Sequence, residues 1–123
     1  MDLPDAAGVA QAQLDYLLGA NPHGQTFVSG VGERPVRHVS HIFARAIGQD
    51  IPGLFVGGAN EAAQAGKAPK NLGLLSYIDD AASYATNEYA IDYNAALIGL
   101  VVQLMSYSVN PTPASPQKSN KSD

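Results

Sequence analysis

The stretch from Glu88 to about Met105 limits what this chain can fold into more than any other. Ile91, Ala95, Leu97, Ile98, Val101, Val102 and Leu104 recur at helical spacing, and with Ala90, Ala96 and Leu100 they leave no polar face on its later turns. A helix that is apolar all round lies inside a larger protein or a membrane. Asp92, Asn94 and Gln103 interrupt it and favour the protein interior. Asn87 reads as its N-cap, which puts Glu88 in the first turn. A second helix is predicted from about Ala6 to Leu18, with Asp5 as N-cap and Gly19 followed by Asn21-Pro22 as its stop. Two helices and their loops cannot enclose such an element. The expected fold is therefore all-α and incomplete by itself, with a partner or the rest of a larger domain around the apolar helix.

Between these helices, from Pro22 to roughly Leu75, the chain is dense in Gly, Pro and Asn, with only short apolar runs such as Thr26-Phe27-Val28 and Leu54-Phe55-Val56. So long an irregular stretch points to functional loops on a scaffold. After Tyr107 the composition turns to Ser, Pro, Asn, Thr and Lys, and residues 107–123 read as a disordered tail or linker behind a folded part spanning 1–106. A net charge of −4 without a basic stripe argues against a nucleic-acid partner, and no apolar run is clean enough to span a bilayer. There is no cysteine, hence no disulfide frame or thiolate chemistry. Met1-Asp2-Leu3-Pro4-Asp5 lacks the basic and apolar regions of a signal peptide. No carboxylate cluster has the loop spacing of a metal site, and no cofactor is expected.

Chemistry concentrates in Tyr77-Ile78-Asp79-Asp80-Ala81-Ala82-Ser83-Tyr84-Ala85-Thr86-Asn87-Glu88. If Glu88 opens the helix, Asp92 shares its face one turn later. Their like charges and the burial of the helix body then favour a protonated carboxyl, the state that general-acid catalysis needs. The positive end of the helix dipole opposes this. From the residues alone the plainer reading stays open, with Glu88 as a first-turn acid favoured by the dipole and Asp79 and Asp80 as turn or capping residues.

The order aromatic-x-Asp-x4-aromatic-x3-Glu-x-small-x3-Asn-small, filled by Tyr77, Asp79, Tyr84, Glu88, Ala90, Asn94 and Ala95, resembles the signature of glycoside hydrolase family 9, the cellulases and endoglucanases. Leu14-Asp15-Tyr16-Leu17-Leu18-Gly19-Ala20-Asn21-Pro22, Phe27-Val28-Ser29-Gly30-Val31-Gly32 and Ile51-Pro52-Gly53-Leu54-Phe55-Val56-Gly57-Gly58 resemble further stretches of that family. The likeness runs from about Ala10 to Gln103. It implies a partial (α/α)6 barrel of the six-hairpin glycosidase type, made of the C-terminal helices and long active-site loops. It also implies hydrolysis of beta-1,4-glucosidic bonds in cellulose or related beta-glucans by inversion, outside the cell or in the periplasm. Glu88 is then the proton donor, Asp79 the second catalytic carboxylate of the signature, and Tyr84 a substrate-binding aromatic.

One departure bears on substrate preference rather than on reaction class. Where the family has a substrate-binding His two residues before an Arg, this chain has Ser40 after Val39, and Ile42 in place of the Arg. His41 first, and His38 second, are the histidines to take over that contact. A catalytic base is also required, and the family draws it from an Asp-x-x-Asp pair in the N-terminal part of its domain. Asp2 and Asp5 have the spacing, but capping explains them better. The chain is thus expected to need the missing N-terminal part of a catalytic domain. Two alternatives are a non-catalytic remnant that binds carbohydrate or a partner protein, and an exo-acting glycosidase for another beta-linked sugar.

Overall fold

The computed structural model describes residues 6–109. Four helices occur in this span: α1 (Ala6–Leu17), α2 (Ile42–Ile47), α3 (Tyr84–Asn87) and α4 (Ile91–Val109), with one 3-10 turn at Gly73–Leu75. The first helix ends where the Gly19-Ala20-Asn21-Pro22 stop predicts, with Gly19 at φ +124. Its expected N-cap, Asp5, lies outside the described residues, as do Asp2 and most of the expected tail.

Helix α4 packs on α1 and, through Tyr93 and Asn94, on the 53–55 turn, and leaves much of its surface open. None of its residues is buried, and Ile91, Ile98 and Val109 are 82%, 62% and 76% exposed. The deduction from periodicity holds: these helices do not cover one another.

What core there is lies under the loops. Phe27, Val36, Val39, Val56 and Tyr77 form a buried cluster, flanked by partly buried Tyr16, Leu17, Leu54, Phe55 and Tyr89. Phe27 meets Tyr77 edge-on at 4.9 Å between ring centroids, a preferred geometry for aromatic pairs. Isolated bridges knit the loop segments side by side. Thr26 pairs with Pro35, Val28 with Phe55, Val56 with Tyr89, and Glu88 with Ser40. Each bridge satisfies main-chain groups that a buried irregular segment would otherwise leave unpaired.

Two devices hold the glycine turn at 51–54. The Ser29 hydroxyl donates to the Ile51 carbonyl at 2.6 Å and accepts from the Leu54 amide at 2.9 Å. Asn94 reaches the same turn from α4, accepting from the Phe55 amide at 3.1 Å and donating to the Gly53 carbonyl at 2.6 Å. Gly32 sits at φ +80, and a Cβ there would lie 2.6 Å from the buried Thr26 hydroxyl. Gly32→Ala combines backbone strain with that clash, so it is expected to destabilise the fold by about 2 kcal/mol or more. Denaturant unfolding of the two proteins side by side checks this; an unchanged midpoint would show that the loop relaxes freely.

The long helix starts later than its periodicity suggests. Asn87 is the last residue of the one-turn α3 rather than the N-cap of α4, and Glu88 is extended at φ −71, ψ 134. Long-range pairing of Glu88 with Ser40 and of Tyr89 with Val56 holds residues 88–89 out of the helix. Glu88 and Asp92 therefore do not share a helical face, and Glu88 is exposed rather than buried. Glu88 is thus neither buried nor in the first turn of α4, contrary to the reading from periodicity.

Candidate active site

The signature segment runs from Tyr77 through a loop and the short α3 to Glu88, and Asn87 at the end of α3 returns to bond Tyr77 and Asp79 at its start. Asp79 is a hub. Its Oδ1 accepts from the His38 amide at 2.9 Å and from Asn87 Nδ2 at 2.8 Å. Its Oδ2 accepts from the Arg37 amide at 3.0 Å and from Gln25 Nε2 at 2.9 Å. The carboxylate is 19% exposed. Burial pushes its pKa up, but the four donors outweigh burial and hold it below the ordinary carboxylate range. Asp79 is thus an ionised acceptor with its oxygens committed.

Next to it, Asn87 is fully buried and joins three segments. Its Nδ2 also donates to the His38 carbonyl at 2.9 Å, and its Oδ1 accepts from the Tyr77 hydroxyl at 2.8 Å. Burial, followed by the charge of Asp79, pushes the Tyr77 phenol up, so it stays a donor at every working pH.

The main chain around Glu88 is held on two sides. The Ser40 amide donates to the Asn87 carbonyl at 2.8 Å, and the Gly57 amide to the Glu88 carbonyl at 3.1 Å. The Glu88 amide closes α3 on the Tyr84 carbonyl at 3.1 Å. Glu88 itself is exposed, and these bonds fix its main chain without engaging its carboxyl.

The two histidines of the 38–41 segment fall differently. His38 is exposed, with its Nδ1 3.6 Å from Asp79 Oδ2. His41 caps α2, its Nδ1 accepting from the Ala44 amide at 3.1 Å, and its ring lies 4.5 Å from that of Tyr89. Of the two, His38 is joined to the Asp79 hub, while one nitrogen of His41 is already committed to a cap. Tyr84 is exposed, its hydroxyl 3.5 Å from the Gln64 carbonyl. A polar hollow opens beside Asp79, lined by Gln25, Glu33, Arg34, Pro35 and Arg37. Among the described residues no group of three His, Asp or Glu side chains converges to hold a metal ion.

Sequence reasoning missed Gln25, Asn87 and the Arg37 amide as partners of Asp79. Donors so far apart along the chain leave no local pattern, and Asn87 carried only the signal of a cap.

The sequence profile of Glycosyl hydrolase family 9 matches residues 3–101. The chain belongs to that family. It is 39% identical over 103 residues to the xyloglucan-specific endo-beta-1,4-glucanase of Bacteroides ovatus, a match covering 81% of this chain and 18% of that enzyme. The crystal structure of a metagenome-derived glycoside hydrolase family 9 endoglucanase superposes with a TM-score of 0.80 at 42% identity, covering 84% of this chain and 19% of that one. The structure of AaCel9A in complex with cellobiose-like isofagomine superposes with a TM-score of 0.76 at 39% identity, covering 84% and 21%. This family 9 chain thus spans about a fifth of the length of the proteins it matches. Its helices and loops, with isolated bridges but no strand among the described residues, agree with the expected part of an (α/α)6 barrel.

Proposed function

We propose that the chain is the C-terminal part of a catalytic domain that hydrolyses beta-1,4-glucosidic bonds in cellulose or related beta-glucans by inversion. Glu88 is the general acid that protonates the leaving glycosidic oxygen. Asp79 is the second signature carboxylate and acts from its ionised, four-donor site. His38, then His41 and Tyr84, contact the sugar. One observation carries this reading: of the two signature carboxylates, Asp79 has its oxygens committed to protein donors, whereas Glu88 stands exposed on a backbone held from two sides.

The names of its relatives support the substrate class, one being xyloglucan-specific and another solved in complex with cellobiose-like isofagomine. Inversion needs a base on the opposite face of the sugar, roughly 6.5–9.5 Å from the acid, to activate water. That base belongs to the N-terminal part of the domain, which also covers the open face of α4. Helix α4 continues to Val109, so the domain extends past the boundary expected at 106; the secreted or periplasmic location of such enzymes applies.

The test is hydrolysis of a soluble beta-1,4-glucan by the 123-residue chain alone. No reducing ends are expected to form, because acid and base are on separate segments. Turnover would mean that a carboxylate within the chain, with Asp92 the first to examine, serves as base.

A further inference from the structure

Asn87 fills a free position of the family signature and was legible only as a cap, yet its contacts exceed what a cap requires. We infer that Asn87 is a positioning residue that fixes Glu88 and His38 relative to Asp79. The inference rests on the assignment of Glu88 as the acid.

The orientation of the Asn87 carboxamide is forced. The Asp79 carboxylate and the His38 carbonyl can only accept, so both N–H groups must face them. The oxygen is left for the Tyr77 hydroxyl. The main chain of the same residue accepts from the Ser40 amide and donates to the Ser83 carbonyl, both at 2.8 Å. One buried residue thus ties together the Tyr77–Asp79 segment, the His38–Ser40 segment and α3. The next residue along is Glu88. Any rotation of Asn87 moves the acid and the His38 main chain together, while the remaining donors still hold Asp79.

The variants Asn87→Ala, Tyr77→Phe and Glu88→Gln are compared in the full-length protein that contains these residues, with a soluble beta-1,4-glucan as substrate. Asn87→Ala is expected to lower kcat by about 10- to 100-fold with KM little changed, as a small misplacement of the acid does. Tyr77→Phe removes only the hydroxyl that faces the carboxamide oxygen; it should stay folded and lower kcat in the same direction by less. A readout independent of turnover is the NMR titration of the Asp79 carboxyl in the full-length protein, which should move towards the ordinary carboxylate range in Asn87→Ala. Wild-type kcat in Asn87→Ala and Tyr77→Phe, with Glu88→Gln inactive, would overturn the positioning role and leave the acid assignment standing. Full activity in Glu88→Gln would instead remove the acid assignment, and this inference with it.

Discussion

Asp79→Ala is expected to destabilise the fold by about 3 kcal/mol and to abolish activity. The variant strands Gln25 Nε2, one N–H of the buried Asn87 carboxamide, and the amides of Arg37 and His38. Leaving a buried donor unsatisfied costs roughly 1–3 kcal/mol. Water can reach the partly exposed donors, so the losses do not add in full. The contribution also depends on pH. Burial raises the Asp79 pKa and the four donors lower it further than that, giving a folded value below the unfolded one. The stabilisation is therefore complete above the unfolded carboxylate value of about 3.9 and is lost as pH falls through the lower folded value. Denaturant midpoints of wild type and Asp79→Ala should lie far apart near neutrality and converge in acid. A constant gap across that range would mean that the carboxylate's charge plays no part.

The second large effect is on rate. Glu88→Gln keeps shape and polarity but removes the transferable proton, and general-acid catalysis contributes typically about 10²–10⁴-fold. In the full-length protein, kcat on a soluble beta-1,4-glucan is expected to fall by about that factor. The fold should be unaffected, because Glu88 is exposed and its main-chain bonds to Gly57 and Tyr84 do not involve the side chain. A loss of activity matched by a loss of stability would point to a structural carboxylate instead.

Several of these features were legible before any coordinates. The spacing from Asp79 to Glu88 marked both carboxylates, and the stop at Gly19 marked the end of α1. The apolar helix declared itself uncovered, as its exposed Ile98 and Val102 bear out. What failed was the placement of Glu88 within that helix. Periodicity reports local preference, and here bridges to Ser40 and Val56, each more than thirty residues away in number, override it. The core was hidden for a related reason. Phe27, Val36, Val39 and Val56 sit in short apolar runs between glycines and prolines, which mimic surface loops until long-range pairing stacks them. The hub around Asp79 draws on residues 25, 37, 38 and 87, and no window along the chain contains them all.

The central claim, that Glu88 delivers the proton to the leaving oxygen, is tested most directly by varying how much that oxygen needs it. Glu88→Gln in the full-length protein is assayed on a beta-1,4-glucan and on a dinitrophenyl cellobioside, whose leaving group departs without protonation. The account predicts a loss of about 10²-fold or more on the glucan and a far smaller one on the activated substrate. Equal losses on both, or no loss on either, would contradict it.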